Sequence, residues 1–164
     1  MINKNYRSTE SDTGFTLIEV LVAVLVLSIG LLGLAGLQAN SLRFNTDSSI
    51  QTQAAYMAND MADRMRANAG TATLITYPSA TATQVASCYN TGGCTPGQMA
   101  SNDLYEWNQA LAGLPAGQGT ITALGGGVYN ITVRWDELRN GATGLGCDPA
   151  VNTDLRCLSI TTQP

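Results

Sequence analysis

The sequence predicts an α+β chain. One long N-terminal helix, membrane-spanning in its first half and amphipathic in its second, packs on a small antiparallel-sheet head. Three observations carry this. From Val20 to Leu37 only Ser28 is polar, inside an apolar run from Phe15 to Leu37. Beyond it Ile50, Ala54, Met57, Met61 and Met65 recur at steps of four, three, four and four, one face of a helix. Near the other end Tyr129, Ile131, Val133 and Trp135 alternate with Asn130, Thr132 and Arg134, the period of a half-buried strand.

The apolar run holds 23 residues, about 35 Å of helix against about 30 Å of hydrocarbon, so it crosses a membrane once. Lys4 and Arg7 precede it and only Arg43 follows closely, which favours a cytoplasmic N-terminus and an exported body. A secretory signal cut near Ala39 is disfavoured, because its hydrophobic region is shorter and carries no acid such as Glu19. Gly30, Gly33 and Gly36 recur every three residues, marking a flexible stretch or close helix contacts rather than the four-residue dimer motif.

No Gly or Pro falls between Leu37 and Gly70, so the helix is expected to continue to about Asn68, with Asn68 and Gly70 at its end. Asp60 and Arg64, four apart with the acid first, suit the wetter helix face opposite the Met stripe. Residues 71–94 are Thr- and Ser-rich and predict a loop with one short strand. Thr95, Pro96 and Gln98 have the order of an N-cap, a first-turn proline and a capping-box partner. A second helix is therefore expected from Pro96 to Ala112, with Ala100, Leu104, Trp107 and Leu111 on one face and Gly113 and Pro115 stopping it. Gly125 to Gly127 suit a tight connection between Thr120–Leu124 and the strand at Tyr129, and Arg156–Thr162 supplies a third strand.

All four cysteines, Cys88, Cys94, Cys147 and Cys157, lie after the apolar run and hence outside the cytoplasm in the expected orientation. An even count there reads as disulfides. Of three connectivities, Cys88 with Cys94 and Cys147 with Cys157 is preferred, because each pair closes a short loop containing Gly or Pro. Zinc is disfavoured by the spacing and by the absence of histidine.

Catalytic equipment is sparse. The chain has no His, and Lys4 is its only lysine, so no general base stands beside a Ser or Thr nucleophile. Asp136 and Glu137 are adjacent and read as the end of a strand rather than a carboxylate pair. Asp148, Asn152 and Asp154 offer oxygen ligands for calcium but lack the spacing of a known calcium loop. With 8 basic and 12 acidic residues and a net charge of -4, no basic stripe for nucleic acid is present. No cofactor is implied.

The stretch Gly14-Phe15-Thr16-Leu17-Ile18-Glu19, after a short polar leader and before the apolar helix, resembles the class III signal of type IV pilins and pseudopilins. The segments AAYMANDMADRMRAN, CTPGQMASNDLYEWNQALAGLPAGQG and YNITVRWDE further resemble PilV-type minor pilins. The resemblance implies a pilin-like fold with a leader over residues 1–14, a long helix over 15–68 with its span at 15–37, and a globular head over 69–164. It implies that prepilin peptidase cuts between Gly14 and Phe15 and methylates the Phe15 amine, and that Glu19 serves assembly. A carboxylate near a neighbouring subunit's new amine neutralises both charges where water is excluded. Phe15 and Glu19 are also one turn apart, so pairing within one chain stays open. Gly36 departs from the family where many major pilins carry a kinking proline.

The function so implied is that of a non-enzymatic minor pilin. It sits in the inner membrane with its head periplasmic before assembly, and extracellularly afterwards, near the tip of the pilus, with the major pilin and other minor pilins as partners. Two alternatives differ in class: a minor pseudopilin of type II secretion, and a membrane-tethered adhesive or ligand-binding domain.

Overall fold

The computed structural model describes residues 14–70, 74 and 76–164; the leader, apart from Gly14, lies outside them. Helix α1 runs Leu17–Ala67, a short 3-10 helix Ala86–Tyr89, helix α2 Pro96–Leu111, and strands β1, β2 and β3 Gln118–Gly125, Val128–Trp135 and Arg156–Thr162. The sheet is antiparallel in the order β1-β2-β3. The architecture is α+β, a long apolar N-terminal helix and a small three-stranded sheet.

The chain divides into two compact units between Phe44 and Asn45, within α1. In the first unit every described side chain from Val20 to Leu42 is exposed. Ser28, the one polar residue of that stretch up to Leu37, turns its hydroxyl back to donate to the Val24 carbonyl at 2.7 Å. Its polarity is thus satisfied within the helix, which makes it tolerable in lipid.

In the second unit α1 buries Ile50, Ala54, Ala58, Met61, Ala62 and Met65, with Met57 partly covered. This is the expected Met stripe widened by two alanines, whose small side chains let neighbours come close. Helix α2 begins with both bonds of a capping box: Gln98 N donates to Thr95 Oγ1 at 3.3 Å and Thr95 N to Gln98 Oε1 at 2.9 Å. Its buried face is Ala100, Leu104, Trp107 and Leu111. Trp107 Nε1 donates to the Met57 carbonyl at 2.9 Å and so locks α2 against α1.

The inner face of the sheet contributes Ile121, Tyr129, Ile131, Val133 and Trp135, with Leu158 and Ile160 packed beside them. Gly119 is where α2 meets β1: a Cβ there would collide with the Trp107 ring and with Leu111 Cδ1. The strand alternation is modified at Thr132, on the outer face but buried, where its hydroxyl bonds Ser159 Oγ at 2.8 Å across β3. The strand expected within residues 71–94 is absent among the described residues; the 3-10 helix Ala86–Tyr89 stands there instead. Its segment is tied down by Val85 N donating to Asn102 Oδ1 at 2.9 Å.

Candidate functional site

The first turn of α1 is built by Thr16. The Glu19 amide donates to the Thr16 carbonyl at 3.0 Å and approaches its hydroxyl at 3.4 Å, so Thr16 caps the helix and Glu19 occupies the third position of the first turn. An acid there complements the positive end of the helix dipole. Phe15 and Glu19 line one face with Val20, Ala23, Val24 and Leu27, a carboxylate set into an open apolar groove. Phe15 is 82% exposed, so none of the described residues shelters it. A Cβ on Gly14, Gly30, Gly33 or Gly36 would meet open space, so packing among the described residues requires none of these glycines.

In the head unit the cysteines pair sequentially, Cys88 with Cys94 (Cα–Cα 4.8 Å) and Cys147 with Cys157 (5.4 Å). The first bridge closes a loop whose Tyr89 hydroxyl donates to Glu106 Oε1 at 2.8 Å. The second encloses Asp154, whose carboxylate accepts from the Asp148 amide at 3.3 Å and fills the space beside Gly144 and Gly146. Asp148 Oδ1 in turn accepts from the Ala150 amide at 2.8 Å. The carboxylates offered for calcium thus serve turns of their own loop. Asp136 follows β2 and is buried, its Oδ2 accepting from the Gly141 and Ala142 amides at 2.8 and 3.3 Å, while Glu137 pairs with Arg156 at 2.6 Å.

Arg64 corrects the expectation of a wet outer face. Its Nε bonds Asp60 at 2.9 Å, but Nη1 reaches Glu106 at 2.7 Å and Asp103 at 3.3 Å on α2. Burial opposes the charge on Arg64, yet the bonds to Glu106, Asp60 and Asp103 prevail and raise its pKa. The Arg64 bond, then that of Tyr89, holds the Glu106 carboxyl below its ordinary pKa. Tyr77 donates to Asp103 Oδ2 at 2.6 Å, and burial followed by that bond raises its pKa. Asn68, at the end of α1, completes the cluster by donating to Tyr77 and to the Pro96 carbonyl. Sequence reasoning missed Asp103 and Glu106; their three-residue spacing on α2 was the available signal.

Residues 11–35 match the prokaryotic N-terminal methylation motif, and residues 36–105 match the Tt1218-like type IV pilin family. The two matches adjoin without a gap. This chain belongs to the type IV pilins. Comparison with curated proteins and with solved structures gave no match. In this pilin the methylation motif covers the exposed Phe15, the Thr16 cap and Glu19, and continues into the apolar stretch of α1. The family match takes in the remainder of α1, the Cys88–Cys94 loop and the Arg64 contacts at Asp103. Among the described residues one helix, near the N-terminus, is long and apolar enough to cross a membrane, which fits a membrane-anchored pilin.

Proposed function

We propose that this pilin is a minor subunit of the type IV pilus, of the PilV type, which helps to prime assembly near the tip of the fibre. Before assembly it is anchored in the inner membrane with residues 1–14 as a cytoplasmic leader, a span at residues 15–37 within the helix 15–68, and the head 69–164 in the periplasm. Prepilin peptidase removes the leader between Gly14 and Phe15 and methylates the Phe15 amine. Other minor pilins and the major pilin are its partners in the fibre, and none of its residues carries a catalytic role.

The observation that carries this reading is the methylation motif, placed on a capped helix start with one acid in an otherwise apolar, unsheltered surface. Cleavage leaves a cationic amine on Phe15. In a dry setting an isolated charge is expensive, and an opposite charge from a neighbour offsets that cost. Glu19 is the only acid of α1 ahead of Asp47. Its pairing with a neighbouring subunit's amine gives assembly a fixed axial register.

Intact mass of the protein purified from a piliated strain tests processing: the expected species starts at methylated Phe15 and has two disulfides. A chain starting at Met1 in the presence of active peptidase, or near Asn40, rejects the processing. Deletion of the chain is expected to reduce surface pili; loss of exoprotein secretion with normal pili would instead assign it to type II secretion.

A further inference from the structure

Between β2 and β3 the chain reads DELRNGATG from Asp136 to Gly144, and Asn140–Gly141 is its one Asn-Gly pair. In a flexible chain that pair modifies itself. With no Cβ on the second residue to obstruct it, the backbone nitrogen of Gly141 can reach Cγ of Asn140 and close a cyclic imide. The N–Cγ bond forms as the nitrogen gives its proton to solvent. The Cγ–Nδ2 bond breaks as Nδ2 takes up a proton and leaves as ammonia. Water, the only co-reactant, then opens the ring at either carbonyl and leaves aspartate or isoaspartate.

Both residues are exposed, so water reaches them, yet the polar atoms that the reaction uses are all tied down. The Gly141 amide donates to Asp136 Oδ2 at 2.8 Å. Asn140 Oδ1 accepts from the Ala142 amide at 3.1 Å, and Nδ2 donates to the Asn152 carbonyl at 3.0 Å. These partners are fixed in turn. Asp136 is itself buried, 5% exposed. The strand of chain that carries the Asn152 carbonyl is laced to the one after Asn140: the Thr143 and Gly144 amides donate to the Thr153 carbonyl at 3.2 and 2.8 Å, and the Leu155 amide to the Gly144 carbonyl at 2.8 Å. The Cys147–Cys157 bridge closes the same loop. Ring closure needs the Asn140 carboxamide to turn over the Gly141 nitrogen and that nitrogen to leave its peptide plane, so it waits on a local opening in which these bonds are broken.

We propose that Asn140 is a self-modifying site guarded by the closed loop 136–157, with Asp136 as its guard, and that its conversion is a one-way chemical record of loop opening. The one-way character follows from the bonds themselves. The Ala142 amide is shared between Asn140 Oδ1 and Asp136 Oδ2, at 3.1 and 3.3 Å, so an aspartate at position 140 sets two carboxylates on one donor, where like charges repel. It also turns an acceptor towards the Asn152 carbonyl, where Nδ2 had been a donor. Isoaspartate adds a methylene to the backbone and breaks the same register. A converted loop therefore does not close as before. This chemistry belongs to the head alone and holds whether or not the pilus reading does.

The test follows Asn140 by peptide mass spectrometry in the full-length protein in detergent at neutral pH, either native or unfolded in urea with dithiothreitol. Conversion to aspartate and isoaspartate is expected to be slower in the native protein by roughly tenfold or more, because attack waits on opening. Equal rates in the two states overturn the guard, and this comparison needs no variant. Asp136→Asn keeps the shape but replaces a carboxylate acceptor by a weaker carboxamide, so conversion in the folded variant should speed up by about threefold or more. An unchanged rate in a folded variant removes Asp136 as the guard. Protein converted in urea and then refolded should exchange the Gly141 and Ala142 amide hydrogens faster than unconverted protein carried through the same cycle. Equal protection would reject the one-way record.

Discussion

Along α1, residues 20–37 and residues 50–65 share one backbone geometry but leave their apolar side chains in opposite circumstances. Leu32 is 75% exposed, whereas Ala54, Ala58, Met61, Ala62 and Met65 are fully buried. The first stretch is large and apolar on every side; the second confines its apolar residues to one stripe and alternates Met with Ala. A stripe can be satisfied by α2 and the sheet of the same chain. Apolarity all round cannot, and it calls for surroundings that are apolar in every direction.

The largest expected contrast between the two stretches comes from Glu19→Ala. Removing one partner of a charge pair in a dry site costs roughly 3 to 5 kcal/mol, so recovery in sheared pili should fall by well over tenfold. Membrane insertion and cleavage should persist, because the substitution removes a charge that lipid disfavours. Normal recovery would sink the pairing role. Next comes Met61→Ala, measured in a fragment of residues 45–164, which is expected to fold cooperatively because it contains its own core. Truncating this buried side chain should cost about 2 to 5 kcal/mol, read as a lower urea midpoint by circular dichroism; a loss under about 1 kcal/mol would refute the stripe as core.

Glu106→Gln should have a smaller effect, about 1 kcal/mol near neutral pH, because the carboxylate is partly exposed and screened. Its lowered pKa means that the contribution is present above the ordinary carboxylate range, about 4.3, and is lost as pH falls through the lowered value. The variant should therefore show a shallower acid decline in stability. Tyr77 has the opposite sign: with a raised pKa, its contribution is intact below about 10 and disappears as pH rises beyond that. Tyr77→Phe should flatten the alkaline limb; an unchanged limb would remove Tyr77 as its cause. Smallest of all is Leu32→Ala, which should shift the head's unfolding midpoint in the full-length protein by less than about 0.5 kcal/mol. A larger shift would mean that the apolar stretch supports the head.

Legibility in the sequence follows the range of the interaction. The Thr95–Gln98 capping box, the Trp107 face of α2 and the alternation of β2 are set by neighbours within four residues, so residue order alone reveals each of them. Arg64 reads in sequence only as the partner of Asp60, because its bonds to Asp103 and Glu106 join residues about forty positions apart. Alternation places Thr132 on the polar face correctly, but its burial depends on Ser159 across the sheet. The Ala86–Tyr89 turn escapes because a Thr- and Ser-rich stretch has no period to read, and its anchor, Asn102, belongs to another element. At the N-terminus, Glu19 is conspicuous as an acid in an apolar run, whereas the cap contributed by Thr16 follows from geometry.

The bond from Trp107 to the Met57 carbonyl has a practical side. The chain contains two tryptophans, Trp107 and Trp135, and both are buried in the head, 1% and 3% exposed. The apolar stretch of residues 15–37 has none. Intrinsic fluorescence therefore reports on the head alone, even in detergent or bilayers, where a helical signal would mix both halves of α1. Trp107 is the more informative emitter: its indole bridges α1 and α2 and rests against Gly119 of β1. A change that loosens α2 from α1 or from β1 would therefore expose this indole and shift its emission to longer wavelength, an optical signal built into the unlabelled protein.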